Sequence, residues 1–409
     1  SESTYNIVLK EDAEVLDEVV VVGYGSQKKV NVTGAVGMVS AEALEARPVA
    51  NASQALQGVV PGLNLTVGNN GGALDGTLNM NIRGAGTIGD GSGSSPLVLI
   101  DGIEGDLNTV NPNDIESVSV LKDAASASIY GARASFGVIL VTTKSGKSSK
   151  TNVSYSGSAR FSDAIGIPDI MDSYTFAQYF NRASANKGGG DIFAPAVMER
   201  IKAYQEGTLK ATTVDNGAGI WQKWANANGN TDWFEEFYDH WAPSQEHNLS
   251  INGGTDKTQY LISGSFLDQK GLMRHGSDKF QRYTLNGKIT TAVTDWFKVT
   301  YSTKWTREDF ERPTYLTGSF FHNLARKWPV HPAYDPNGFP MDEGEVEQME
   351  NGGKQNSQKD FYTNQLQLVF EPIKNWKINL DGSVRTTTQY QHWEVLPVYA
   401  YNVDGDPYY

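Results

Sequence analysis

The sequence predicts a mixed α/β segment followed by a transmembrane antiparallel β-barrel, on three observations. From Thr151 onward, apolar and polar residues alternate through seven separate stretches, the period of a strand with two unlike faces. Short turns and long links join these stretches alternately, as in membrane barrels. Residues 114–147, DIESVSVLKDAASASIYGARASFGVILVTTKSGK, read instead as strand, short helix and strand, the order of a small α/β domain. A soluble β-sandwich with its long loops at one end is the alternative to the barrel.

Composition narrows the classes. With 409 residues the chain has room for two or more domains. A net charge of −13 argues against nucleic acid, because nothing here neutralises phosphates in bulk. Cysteine is absent, which excludes disulfides, thiol nucleophiles and Cys-based zinc sites. No window approaches the roughly 18 consecutive apolar residues of a transmembrane helix, whereas barrel strands leave little hydropathy signal. The 42 glycines, 19 tyrosines and 9 tryptophans suit a barrel with aromatic girdles, and suit soluble β-sandwiches too. No signal peptide is visible at Ser1, so the chain is expected to start after processing or trimming.

Along the chain, residues 5–9 look like the last strand of something upstream. Residues 16–25, LDEVVVVGYG, place four valines in a row, which favours an extended backbone. Such a segment is suited to adding a strand to a partner's sheet edge, or to being an ordinary buried strand. Residues 30–39 read as a short strand pair, and 40–44 and 53–60 as short helices, the second ended by Pro61-Gly62. Residues 84–95, GAGTIGDGSGSS, are glycine- and serine-rich and flexible, with no Gly-Lys-Ser/Thr to make a phosphate loop. In 114–147, Val118, Val120 and Leu121 form a strand run, Asp123 caps a helix over 124–130, Gly131 stops it, and 138–143 is a β-branched second strand.

In the first alternating stretch Val153, Tyr155, Gly157, Ala159 and Phe161 share one face, and Asn152, Ser154, Ser156, Ser158 and Arg160 the other. The pattern recurs at 247–253, 258–266, 283–289, 297–305, 364–370 and 376–384. Turns fall at 254–257, 293–296 and 371–375, and long links at 162–243, 268–279 and 308–359. The first link holds two helical patterns, 173–181 and 195–206, then an aromatic run over 221–241. Residues 404–409 look like a loop. Seven is an odd number of strands, a barrel that narrow is filled by its own side chains, and an open edge in lipid leaves backbone groups unpaired, so the chain is expected to be the N-terminal part of a longer polypeptide.

Catalytic chemistry is not predicted. The six histidines form no metal-ligand spacing. Asp232, Glu235, Glu236 and Asp239 could pair as glycosidase carboxylates, but their spacing is more often a solvated helix face. Asn402, Asp404 and Asp406 loosely resemble a calcium loop with no closing Glu. The reading is a non-enzyme with no cofactor and no metal, whose chemistry is recognition. Trp221, Trp224, Trp233, Tyr315 and Trp328, with Trp241 and Tyr334, are candidates for stacking on sugar faces, or else girdle residues and loop-core anchors.

Four motifs in order carry a resemblance: Ala55-Leu56-Gln57-Gly58 with Pro61-Gly62-Leu63, Asn81-Ile82-Arg83-Gly84, Pro96-Leu97-Val98-Leu99-Ile100-Asp101-Gly102, and the 114–147 run, in which Ser135-Phe136-Gly137 replaces the usual Ala-Asn-Gly. The sequence resembles the SusC/RagA family of TonB-dependent outer-membrane transporters. The resemblance implies four parts: the end of a β-sandwich extension at 1–14, a TonB box at 15–25, a plug at 26–148 that fills the lumen, and the first seven or eight strands of a barrel of about 22 from 149 to 409. It implies TonB contact through Asp17, Glu18, Val19, Val20, Val21, Val22, Gly23, Tyr24 and Gly25, and substrate contact by the plug loop at Gly84, Thr87, Asp90, Ser92 and Ser94. It further implies import of large nutrients, usually oligosaccharides and in some members peptides. The implied partners are a SusD-like lipoprotein lid, TonB with its inner-membrane complex and outer-membrane lipid, the whole being a dimer of heterodimers. A passive porin and a surface glycan-binding protein are the rival classes.

Overall fold

The computed structural model describes residues 19–22, 25–28, 36–45, 47, 49, 51–67, 74, 78–82, 84, 95–123 and 127–409. They fall into two compact units, one within 1–66 and 79–144, the other within 67–78 and 145–409. The strand expected at 5–9 lies outside the described residues.

In the first unit, β1 (Val19–Val22) and β2 (Gly25–Lys28) form a two-stranded antiparallel ribbon, Val19 opposite Lys28 and Val22 opposite Gly25. Next come β3 (Val36–Ser40), the short helices Ala41–Glu45 and Ala52–Leu56, and the pair β4 (Leu63–Val67) and β5 (Leu78–Ile82). Then follow β6 (Leu97–Ile100), β7 (Ile103–Glu104), β8 (Ile115–Leu121) and β9 (Val138–Thr143). The main sheet runs β3-β8-β9-β6-β7, with β6 parallel to β9. Val138, Ile139, Leu140 and Val141 are all buried, so both faces of this central strand are covered, which its unbroken apolar run requires.

Two motif glycines have physical causes here. Asp101 (φ 51) and Gly102 (φ 87) are the two residues of the β6–β7 turn, where both positions need positive φ. Asp101 then accepts from the Thr143 backbone N–H (2.9 Å) and hydroxyl (2.6 Å), tying the turn to the end of β9. A Cβ on Gly137 (φ 93) would lie 2.6 Å from Ile82 Cδ1 and 2.9 Å from the Leu121 carbonyl oxygen, so no larger residue fits.

Several boundaries differ from expectation. The helix expected at 53–60 ends at Leu56, because Gly58 (φ 73) turns the chain left-handed before Pro61 is reached. Of the helix expected at 124–130, residues 124–126 lie outside the described residues and 128–130 form a 3₁₀ turn; Gly131 (φ 67, ψ −154) ends that turn as expected, and a second short turn follows it to Ala134. Only β3 of the expected 30–39 pair lies among the described residues, and it pairs with β8 rather than within a hairpin. The tail read as a loop contains a small hairpin, Ala400 opposite Tyr408. There Asn402 Oδ1 accepts from the backbone N–H of Asp404 (3.0 Å) and of Asp406 (2.8 Å), the bonds of an Asx-type turn.

The second unit is a seven-stranded antiparallel meander in strict chain order: β10 (Ser149–Ser162), β11 (Ala242–Gly254), β12 (Thr258–Lys270), β13 (Lys279–Thr294), β14 (Phe297–Pro313), β15 (Lys354–Ile373) and β16 (Trp376–Trp393). All seven expected strands are present, and each runs further than its apolar alternation. One row across the sheet reads Ser154, Ser250, Ser263, Asn286, Lys304, Thr363 and Arg385, all polar. The adjacent row reads Tyr155, Leu249, Gly264, Leu285, Trp305, Tyr362 and Thr386, mostly apolar. Burial is inverted relative to a water-soluble sheet: Leu285 is 53% exposed while its neighbour Thr284 is 5% exposed. An apolar face left outside and a polar face tucked in is the arrangement of a lipid-facing wall.

The apolar band has visible limits. At the turn end, Phe297 stacks on Phe370 at 4.6 Å, beside half-exposed Trp296 and Trp376. Eight residues on along β14 stands Trp305, about 26 Å away at roughly 3.3 Å per residue, or about 20 Å vertically for a strand tilted by about 40°. Beyond Trp305 the same face becomes polar, where Arg307 makes two 2.9 Å bonds to Asp360. Strands of 13 to 20 residues exceed the roughly 9–11 that span a bilayer, so the surplus continues towards the long loops.

An arginine at Ile289, half-exposed and midway between Trp296 and Trp305, is therefore expected to cost about 2–4 kcal/mol in lipid, whereas Gln281→Arg, beyond the band, is near neutral. Urea unfolding of the full-length protein in lipid vesicles checks this. Equal midpoints for the two variants contradict a lipid-facing Ile289.

Candidate functional site

Three long loops leave the end of the sheet opposite the tight turns, and they fold together as a layer. The first contains the helices Ser173–Asn186, Pro195–Gln205 and Trp233–Phe237, and the third Gly318–Leu324 and Val346–Asn351. Asp172 caps the first helix, accepting from Tyr174 N–H (3.0 Å) and Thr175 N–H (2.9 Å). Those bonds, led by Thr175 and joined by Gln205, hold its carboxyl down at about 2. One apolar core joins all three loops: Trp233 and Phe237 from the first, Met273 from the second, and Leu316, Phe320, Leu324, Val346 and Met349 from the third. A second core packs Phe193, Val197 and Ile201 against Val330, with Phe176, Phe180 and Trp328 around it.

This packing sorts the candidate aromatics. Trp233 is fully buried and donates its indole N–H to the Trp328 carbonyl (3.0 Å), so it is a loop-core anchor with no surface for a sugar. Trp328 packs on Phe176, Phe180 and Phe193 within 5.0–5.7 Å. Trp221 is half-buried beside its bridge to Asp215, and Tyr315 packs on Gly352. Trp241 is exposed, and burial followed by the nearby Glu236 carboxylate lifts the Tyr334 hydroxyl to about 12. Gly84 (φ 97) is open on its Cβ side, while Thr87, Asp90, Ser92 and Ser94 lie outside the described residues. Of the TonB-box candidates, Val19, Val20, Val21, Val22 and Gly25 lie in β1 and β2, and Asp17, Glu18, Gly23 and Tyr24 lie outside the described residues.

The carboxylate cluster is structural. Asp232 caps the Trp233–Phe237 helix, Glu236 pairs with His275 (2.9 Å), Asp239 with Lys270 (2.6 Å) and Glu235 with His240 (3.1 Å). No two of these four remain as a free acid and base, which removes the glycosidase geometry.

What the layer does form is a cavity of about 600 Å³, framed by Trp224, Asn323, Arg326, Lys327, Trp328, Glu343, Glu345 and Gln348. Trp224 stacks on His331 at 4.5 Å and 12° and stands edge-on to Trp328 at 83°. Its indole N–H donates to Glu343 at 2.5 Å. Lys327 is buried, donates to the Glu343 carbonyl (2.8 Å), lies 3.3 Å from a Glu345 carboxylate oxygen, and sits 4.8 Å over the Trp233 ring. Burial draws its ammonium below the usual range, against the pull of Glu345. Sequence reading found the two tryptophans and missed the polar frame, since residues 323–327 and 343–348 carry no motif.

Two histidines give the layer a pH dependence. Burial, then the Lys327 charge, depress His331 to about 4. Neutral His331 accepts from the Trp224 backbone N–H (3.4 Å) and donates to the Asp342 carbonyl (3.0 Å), the tautomer assigned by these partners. Its contribution is complete above pH 6.5 and is lost as pH falls through about 4, on the order of 3 kcal/mol. His275 is the opposite case: burial lowers it, but Glu236 and Glu350 outweigh burial and the net shift is upward. Its contribution is complete below pH 6.5 and is lost as pH rises through the raised value. Proteolysis of the long loops in the intact protein is expected to be slowest near pH 6.5. His331→Gln should flatten the acid arm and His275→Gln the alkaline arm, and unchanged profiles contradict both assignments.

Residues 28–138 match the family model described as the TonB-dependent Receptor Plug Domain. The chain is 33% identical to the TonB-dependent receptor SusC of Bacteroides thetaiotaomicron over 290 residues, 68% of this chain and 25% of that protein. It is 32% identical to the TonB-dependent receptor P3 of Formosa agariphila over 299 residues, 73% of this chain and 26% of that one. Among solved structures, the RagAB peptide importer in its "open-open" state aligns over 93% of this chain and 43% of that chain, with a TM-score of 0.74 and 27% identity. The chain thus spans about a quarter of the length of the curated relatives it matches.

Proposed function

The chain belongs to the SusC/RagA family of TonB-dependent transporters, and from that premise we propose that it carries the plug and part of the barrel wall of an outer-membrane importer of oligosaccharides. In this reading the protein works beneath a SusD-like lipoprotein lid, in a dimer of two such pairs. TonB grips residues 17–25 and pulls, and the plug yields. Force is needed because a plug that fills the lumen blocks diffusion, unlike the fixed constriction of a porin. The observation that carries the reading is one chain holding both a plug-type α/β unit and a sheet whose exposed face is apolar while its buried face is polar. Among the described residues no helix is long and apolar enough to cross a membrane, which leaves the crossing to strands.

Uptake of labelled oligosaccharides by cells with and without TonB tests the proposal, and undiminished uptake without TonB points to a porin. Peptide import is the second reading, favoured by the likeness to RagAB. Loss of growth on glycans when the intact gene is deleted, with peptide use unchanged, supports the oligosaccharide reading. The reverse supports peptides.

A further inference from the structure

The cavity in the loop layer holds an unusual concentration of backbone strain. Six non-glycine residues among those described have positive φ, and three of them border this one cavity: Trp224 (φ 51), Glu343 (φ 62) and Glu345 (φ 69). None is Asn or Asp, the types that tolerate this conformation best, and glycine would adopt all three without penalty. Strain of this kind persists where the side chain is needed at that place. Here the side chains form a frame. Glu343 holds the Trp224 indole N–H and the Lys223 ammonium (2.7 Å), and Glu345 accepts from the Asn323 amide (3.1 Å).

The frame has the chemistry of sugar recognition. His331 covers one face of Trp224 and fixes the ring, and Trp328 closes a right-angled aromatic corner. Around the corner the charges cancel, Lys223, Arg326 and Lys327 against Asp342, Glu343 and Glu345, so neither an anion nor a cation meets one sign alone. A hexose offers flat C–H faces to the rings and hydroxyls that both donate and accept, which suits a rim of carboxylates, cations and amides. The Gln348 side-chain amide lines the cavity and makes no hydrogen bond among the described residues. The volume of about 600 Å³ lies within the roughly 300–1,000 Å³ of small-ligand pockets.

We infer that this cavity is a subsite for a neutral hexose unit of an oligosaccharide, with Trp224 and Trp328 as its aromatic corner and Glu343, Glu345 and Gln348 on its polar rim. This deepens the reading of the chain as a glycan importer and rests on it.

The test uses the full-length transporter in detergent and calorimetric titration with maltohexaose, cellohexaose, laminarihexaose and a hexapeptide of alanine and serine. At least one hexasaccharide is expected to bind. Gln348→Ala removes an amide with no internal partner, so the fold should be kept, and binding should weaken about tenfold. Trp224→Ala should weaken it further, and Trp224→Phe, which keeps a ring, should recover part of the loss. Binding unchanged in Gln348→Ala and Trp224→Phe overturns the subsite, as does failure of all three sugars to bind. Binding of the peptide alone, weakened by Gln348→Ala, overturns it in favour of a peptide site. The import reading fails separately, on uptake that survives loss of TonB.

Discussion

Removing residues 17–22 from the full-length protein is expected to abolish energised uptake while substrate binding stays within about twofold of the intact protein. Val19–Val22 sits in a two-stranded ribbon with Gly25–Lys28, and an isolated two-stranded ribbon is marginal in water. Such a strand can leave its partner at small cost and add to another protein's sheet edge, where main-chain bonds carry the load. Four β-branched residues keep it extended while it waits. The milder Val20→Pro should act the same way, because proline removes a ladder donor and is tolerated poorly inside a paired strand. Growth on an oligosaccharide as sole carbon source reads transport, and titration of purified protein reads binding. Normal growth of the deletion strain would falsify the assignment of this segment to TonB.

Trp233→Ala should loosen the loop layer by about 3–5 kcal/mol, the usual cost of deleting a buried large aromatic. Three losses combine at this residue. The core shared by all three loops acquires a cavity, the Trp328 carbonyl loses its indole donor at 3.0 Å, and Lys327 loses the ring 4.8 Å below its ammonium. Trp233→Phe should recover much of the packing and none of the hydrogen bond. Hydrogen exchange on the full-length protein gives the readout: loops 163–241 and 314–353 should exchange faster, with β11–β15 unchanged. Unaltered protection in those loops means that Trp233 does not hold the layer together.

The long loops mark where sequence reading reaches its limit. Helices read at 173–181 and 195–206 are present as Ser173–Asn186 and Pro195–Gln205, because apolar spacing and start signals, the Asp172 cap and Pro195 at the first turn, act within a few residues. The fate of each aromatic was not legible. Trp224 and Trp233 are nine positions apart in one loop, yet one borders a cavity and the other is sealed in a core. What separates them is contact with a third loop about a hundred residues further on, through His331 for Trp224 and the Trp328 carbonyl for Trp233. The carboxylates at 232–239 looked like a possible acid pair for the same reason, since His275 and Lys270, which neutralise two of them, come from other elements. The strands were under-read in length because alternation of apolar with polar stops at the edge of the lipid band, while backbone pairing continues past it, as at Arg307 opposite Tyr283.

By itself the sequence determined the two-part plan, the seven strands, which of their faces is apolar, and the family. These depend on periodicity and turn chemistry, which each residue shares only with near neighbours. Tertiary structure alone decided which tryptophans are anchors and which frame a cavity, where the strained glutamates stand, and which way each histidine's proton affinity moves. Those properties arise from burial and from charges brought together across distant loops, so no local pattern records them.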